Sequence, residues 1–433
     1  MNSETVLKVT GCGGKKSLQG RVQINGAKNA LLPALASSLL FAGDMKITNA
    51  PITEDTHRMK EVMEPLGVSF DISGEHEITL NSDGLRSGKL SKEVATKMRA
   101  SVVLTGPLLA RIGRVVFPQP GGCVIGARPI DQFIEGYQRL GARVVYTKDA
   151  YVMTAPPGGL RGADIFFKVQ TVTGTSALMM TALLAKGVTR LSNCALEPEI
   201  TSLAEYLVSC GAQIKGIGTT TLTITGGKLL KAKKPYVTIP DRIETGSFLL
   251  LGALTCKNLA IENCRPDHVE ILTSYLQEAG VPIEIEKQTL RIVNNTKPNF
   301  SFKNFNVRTH EYPGFPTDLQ PIVVAFLALV KGESNLFETI YEGRLKYTGD
   351  LIQMGASIQI TSARELVVTG VKKLQGTTLM AHDIRAGFAV LMAALVASGQ
   401  STIHGVYFID RGYEAIEKRL QALGARIERI QAK

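Results

Sequence analysis

The 433-residue chain has no tryptophan, only six cysteines and six histidines, and no apolar run near the roughly 20 residues that a membrane-spanning helix needs. The missing tryptophan decides nothing, but the other absences exclude a good deal. None of Cys12, Cys123, Cys194, Cys210, Cys256 and Cys264 belongs to a Cys-x-x-Cys pair or has a histidine at ligand spacing, so no zinc or other metal site is expected. The chain is also too long and too poor in cysteine for a disulfide scaffold, and reduced thiols fit a cytoplasmic protein. The first residues lack the apolar core of a signal peptide, so a soluble protein with no membrane association is expected. Net charge is +11, with no basic run and no alternation of Lys or Arg with aromatics. Such a balance does not mark a nucleic-acid binder, and it suits small anionic substrates equally well.

What the chain does have is a repeat. A helix-stop phrase recurs as Leu66-Gly67-Val68, Leu140-Gly141-Ala142, Cys210-Gly211-Ala212, Ala279-Gly280-Val281, Met354-Gly355-Ala356 and Leu423-Gly424-Ala425, the glycines between 69 and 75 residues apart. Each copy follows an amphipathic stretch and precedes alternating β-formers, so the glycine is read as a helix C-terminal stop with a strand straight after it. A second element keeps step: six stretches, beginning near Ala30, Ala100, Ser176, Gly246, Pro321 and Gly387, are apolar nearly all round and too short to span a bilayer. A helix without a polar face is buried on every side. Six units of about 70 residues predict an α/β protein of two domains, three units each, with buried helices at the centre and sheets outside. The proline and lysines of 231–235 place the boundary there. One domain is expected to hold 1–26 and 236–433, the other 27–235, with a ligand cleft between them.

The polar residues cluster at the starts of the apolar stretches: Lys28 and Asn29, Lys97 to Arg99, Thr171 to Thr175, Asp241 to Thr245, Thr317 and Asp318, and Asp383 to Arg385. A helix N-terminus offers unpaired N–H groups and a positive dipole end, which suits phosphate or carboxylate. For Ser, Thr and Asp, plain N-capping explains the position as well. It does not explain Lys28, Arg99 and Arg385, because a cation there is unfavourable without an anion beside it. Asp318 is either a cap or a general base for a substrate hydroxyl. A further segment, Pro118 to Asp131, mixes prolines and glycines with Cys123 and Arg128 and is a loop. Its thiol is either a small apolar group under a turn or, beside a fixed cation, an acid or nucleophile. The Gly-Cys-Gly-Gly around Cys12 lacks the Lys-Ser ending of a P-loop and reads as a turn.

Taken together, Gly26-Ala-Lys-Asn-Ala30, Pro120-Gly-Gly-Cys-Val-Ile-Gly-Ala-Arg-Pro129, Pro240-Asp-Arg-Ile-Glu-Thr-Gly246, Phe315-Pro-Thr-Asp318 and Asp410-Arg-Gly-Tyr413 resemble the UDP-N-acetylglucosamine 1-carboxyvinyltransferases, over essentially the whole chain. The resemblance implies a two-domain inside-out α/β barrel and no cofactor. It implies transfer of the enolpyruvyl group of phosphoenolpyruvate to the 3′-hydroxyl of UDP-N-acetylglucosamine through a tetrahedral ketal, the first committed step of bacterial peptidoglycan synthesis. By matching position, Cys123 is the loop acid and fosfomycin target, and Lys28, Arg128 and Arg411 hold phosphoenolpyruvate. Asp318 takes the sugar hydroxyl proton and Asn29 orients the sugar, with Ile340 near it. Arg99, the segment Arg128, Pro129, Ile130, Asp131 and Gln132, and the segment Thr171, Val172 and Thr173 bind the uridine diphosphate. Arg344 and Arg385 are further cleft cations. Gln132-Phe133 departs from the family's usual Leu-His, Glu54 stands where some relatives carry lysine, and Lys168 to Gly174 is a variant of the diphosphate segment. A shikimate-3-phosphate enolpyruvyl transferase shares the six-unit plan but calls for no cysteine loop, and a basic binding protein without turnover is the alternative of another class.

Overall fold

The computed structural model of the chain describes residues 5–93, 98–119 and 129–431. Cys123, Arg128 and Lys97 lie outside the described residues. Among the described residues no helix is long and apolar enough to cross a membrane.

The six apolar stretches form helices: α1 (Lys28–Ser37), α2 (Thr105–Ile112), α3 (Val172–Ala182), α4 (Arg242–Thr255), α5 (Gln320–Leu327) and α6 (Ile384–Val396). Every residue of α4 and of α5 is buried. α2 and α5 are each entered through 3-10 turns, Arg99–Leu104 and Thr317–Leu319. The repeat glycines behave alike. Gly67, Gly141, Gly211, Gly280, Gly355 and Gly424 all take φ between 95° and 102°, the left-handed region that closes a helix and that side chains with a Cβ resist. Strands follow at once: Ser69–Ser73, Arg143–Tyr146, Gln213–Lys215, Ile283–Ile285, Ser357–Ile360 and Arg426–Gln431.

The strands make six sheets, five of four strands and one of three among the described residues. Each four-stranded sheet combines one parallel pair with antiparallel neighbours, and the three-stranded one has its parallel partner reduced to a bridge from Lys89 to Val116. In three sheets the parallel pair consists of the strand before a buried helix and the strand after it, as in Thr378–Met380 and Gln400–His404 around α6. Two pairs are exchanged. Leu18–Gln23, which precedes α1, pairs with Cys256–Glu262 after α4, whereas Tyr236–Val237, which precedes α4, pairs with Asp44–Thr48 after α1. Two left-handed asparagines fasten the exchange: Asn263 donates to Ile24 O and Asn49 to Thr238 O, both at 2.8 Å.

The exchange explains why one compact unit is discontinuous. It draws on Met1–Asn25 and Pro240–Lys433, and the other on Gly26–Gly122 and Arg128–Ile239. Each unit has its own hydrophobic core, three central helices and three sheets. In the first, Phe248 packs edge-on to Phe388, and Phe388 stacks on Tyr413 at 4.6 Å. In the second, the core runs from Leu31 on α1 through Tyr137 and Leu178 to Tyr236.

The segment around Cys12 is more than a turn. The N–H groups of Cys12, Gly14 and Gly13 donate to Leu395 O, Val396 O and Ala397 O at 2.8–2.9 Å, which satisfies the final carbonyls of α6. A Cβ at Gly11 would stand 2.1 Å from Ala397 O, so only glycine fits that approach. Lys16 Nζ reaches Ala253 O near the end of α4 and Asn299 Oδ1, and the Asn295 and Asn299 amides donate to Ala253 O and Leu254 O.

Candidate active site

In the unit of Gly26–Ile239, Lys28 is the first residue of α1. Its Nζ lies 3.2 Å from Asp55 Oδ2, with both side chains almost fully buried. The anion that a cation at a helix start requires is thus supplied in part by the protein. Asn29, next along α1, is half-buried, and Arg99 opens the 3-10 turns ahead of α2. Pro129 and Ile130 lead into a helix at Asp131–Arg139. Gln132 on that helix accepts a hydrogen bond from Val169 N at 3.3 Å, and Glu135 pairs with Lys168 at 3.0 Å. These two contacts join the helix Asp131–Arg139 to the segment leading into α3. Thr171 caps α3, accepting from Gly174 N at 3.2 Å, and Val172 and Thr173 form its first turn.

In the other unit, Asp241 and Asp383 are ordinary caps: Asp241 accepts from Ile243 N and Glu244 N, Asp383 from Arg385 N and Ala386 N, all at 2.8–3.0 Å. The cap alternative for Asp318 fails. Asp318 lies inside the turns of Thr317–Leu319, whose N-cap is Pro316, and turns its carboxylate to two arginines. Arg344 Nη2 approaches Oδ1 at 2.9 Å, and Arg385 Nε and Nη2 approach Oδ2 at 3.2 Å. Both guanidinium side chains are 3–4% exposed, whereas the Asp318 side chain keeps 26% of its surface open. Burial works against the two arginine charges, but Asp318 first, joined by Asp383 and Glu338 at Arg344 and by Tyr413 and Asp241 at Arg385, outweighs it and holds both above the ordinary arginine range. Tyr413, with its hydroxyl 2.8 Å from Ser247 Oγ, is pushed up to about 12 by burial. Among the described residues, Arg344 Nε and Arg385 Nη1 have no hydrogen-bond partner although both atoms are buried. Arg411, by contrast, ends the helix Val406–Asp410, where carbonyls favour a cation. Ile340 is half-buried on the loop after the strand Glu333–Phe337.

A carboxylate with one open edge, backed by two desolvated guanidiniums, can take a proton from a hydroxyl lying on that edge. The two spare N–H donors suit a further acceptor oxygen. Sequence reasoning missed three members of these clusters. Asp55 shows only as an acidic residue in a helix first turn, and Thr317 only as a neighbour of Asp318. Glu338 carries no local signal at all, since its partners lie 2 to 29 residues away in the chain.

Comparison with known proteins narrows the chemistry. A family model described as EPSP synthase (3-phosphoshikimate 1-carboxyvinyltransferase) matches residues 13–420. The chain is 41% identical over 417 residues to the UDP-N-acetylglucosamine 1-carboxyvinyltransferase of Desulforapulum autotrophicum, covering 96% of this chain and 98% of that one. It is 42% identical over 420 residues to the protein of that name from Koribacter versatilis, covering 96% and 95%. Among solved structures, the enolpyruvyl transferase NikO from Streptomyces tendae superposes with a TM-score of 0.88 at 22% identity over 100% of both chains. An EPSP synthase from Acinetobacter baumannii gives 0.73 at 18% identity over 99% and 100%. The fold is therefore that of the enolpyruvyl transferases, with six α/β units in two barrels, and the chain belongs to the UDP-N-acetylglucosamine 1-carboxyvinyltransferase family.

Proposed function

We propose that this enzyme transfers the enolpyruvyl group of phosphoenolpyruvate to the 3′-hydroxyl of UDP-N-acetylglucosamine, with release of phosphate. The observation that carries the proposal is the Asp318 carboxylate, open on one edge and backed by Arg344 and Arg385, in a chain about 40% identical to enzymes of that name. Asp318 accepts the hydroxyl proton as the sugar oxygen attacks C2 of phosphoenolpyruvate. Cys123 delivers a proton to the methylene carbon to give the tetrahedral ketal, and loss of a proton from that carbon together with phosphate from C2 restores the double bond. Lys28, Arg128 and Arg411 neutralise the phosphate and carboxylate of phosphoenolpyruvate. Asn29 and Ile340 contact the sugar. Arg99, Pro129 to Gln132 and Thr171 to Thr173 hold the uridine diphosphate, a role the Gln132–Val169 contact supports by joining the two segments. Setting two polyanionic substrates side by side is the main electrostatic task, and fixed cations perform it without reorganising during the reaction. The product feeds peptidoglycan synthesis in the cytoplasm.

The test is phosphate release from the purified protein. Release is expected only when phosphoenolpyruvate and UDP-N-acetylglucosamine are both present. Release with shikimate-3-phosphate in place of the nucleotide sugar, or none with any pair, overturns the assignment. Cys123→Ser is expected to lose fosfomycin labelling and most turnover while folding normally.

A further inference from the structure

We infer that Glu338, through Thr317, is a positioning residue that sets the direction of the Arg344 guanidinium and so the placement of Asp318. Glu338 is fully buried and its two oxygens accept four hydrogen bonds. Oε1 takes Thr309 Oγ1 at 3.1 Å, Ile340 N at 2.8 Å and Tyr341 N at 3.0 Å, and Oε2 takes Thr317 Oγ1 at 2.9 Å. The Thr317 hydroxyl has a second neighbour, Arg344 Nη1, at 2.6 Å. A guanidinium can only donate, so Thr317 Oγ1 must accept from Arg344, and its own proton has one direction left, towards Glu338. The chain of bonds is therefore polarised from a buried cation to a buried anion, Arg344 to Thr317 to Glu338, with both ends charge-assisted. Holding Nη1 on Thr317 leaves Nη2 of the same rigid fork on Asp318 Oδ1 and aims Nε elsewhere.

The same carboxylate bonds the N–H groups of Ile340 and Tyr341. One buried anion thus ties together the sugar-side loop, the turn that carries Asp318, and the cation behind it. Glutamine cannot replace it. With its oxygen towards Ile340 N and Tyr341 N, its amide would push a donor at Thr317, and in the flipped orientation it would face two backbone donors with a third. Valine at 317 keeps the shape of threonine but removes the relay, leaving Glu338 Oε2 short of a partner and Arg344 Nη1 short of an acceptor.

The inference rests on the proposed transferase activity for its kinetic arm but not for its structural arm. Thr317→Val and Glu338→Gln are expected to lower kcat about 10- to 100-fold, the range for a lost hydrogen bond to a charged group, with a smaller change in KM. Thr317→Ser, which keeps the hydroxyl, is expected to recover most of the kcat that Thr317→Val loses. Crystal structures of the two Thr317 variants carry the arm that needs no turnover: in Thr317→Val the Arg344 Nη2 contact with Asp318 is expected to break, and in Thr317→Ser to persist. If Arg344 stays on Asp318 in Thr317→Val, or if Thr317→Ser is as impaired as Thr317→Val, the inference is overturned. An unmodified enzyme that releases no phosphate with the two substrates instead overturns the functional proposal, and the crystal structures still decide this one.

Discussion

The two ends of the helices α4, α5 and α6 treat positive charge in opposite ways. At the C-terminal end, Lys16 meets the Ala253 carbonyl and Asn299, the side on which a helix dipole welcomes a cation. Asn295, Asn299 and the Gly11–Gly14 backbone satisfy the neighbouring carbonyls there. At the N-terminal end, Arg385 sits against the dipole, Arg344 is buried beside it, and Asp318 compensates both. Among the described residues, the unpartnered guanidinium nitrogens Arg344 Nε and Arg385 Nη1 lie at this second end. A fold gains nothing in stability from two buried arginines around a single partly open carboxylate, since an apolar trio would serve as well or better. Under the proposed function these groups serve a ligand, so that one end closes the core and the other carries the chemistry.

The largest effect that would sharpen this division is expected from Asp318→Asn. Turnover should fall by ~10²–10⁴-fold if the carboxylate is the base. Because Arg344 and Arg385 would keep their charge without the carboxylate that contacts both, folding should weaken by about 3 kcal/mol. Steady-state phosphate release and urea unfolding read the two consequences separately. Gly11→Ala is the matched change at the opposite end. Its Cβ would collide with Ala397 O, so a loss of about 1–3 kcal/mol is expected, with kcat unaltered at temperatures where the variant is folded. If Gly11→Ala depresses kcat as Asp318→Asn does, the ends are not functionally divided.

How much of this could be read without coordinates differs by element. The repeat glycines were legible because a helix stop followed by a strand demands a left-handed residue, and all six adopt it. The buried helices were legible because they are apolar nearly all round. The exchange of Leu18–Gln23 and Tyr236–Val237 was not, since parallel partners 189 to 239 residues apart leave no periodic trace. Asp318 was left open between two roles because caps and bases share a residue type and a position, and only the distances to Arg344 and Arg385 separate them. Lys16 gave no sign at all. Its partners, the Ala253 carbonyl, Asn299 and the Phe302 ring, lie more than 200 residues away in the chain.

Lys16 is also where the smallest and most specific effect is expected. Burial pushes its ammonium down to about 7, from 10.5 for an exposed lysine. Between those two values the unfolded chain holds a proton that the folded chain has released. Stability therefore rises with pH across that window, by on the order of 1 kcal/mol per pH unit from this group, and the gain is absent below pH 7. Lys16→Met removes the titration, so urea midpoints of the unmodified protein and the variant should converge or cross as pH rises from 6.5 towards 10, with kcat equal throughout. A difference in stability that stays constant over that range would mean that the carbonyl of Ala253 and the end of α4 keep Lys16 charged. The C-terminal end would then resemble the N-terminal one in holding a permanent buried cation, and the contrast between them would reduce to the presence of Asp318 and the spare donors around it.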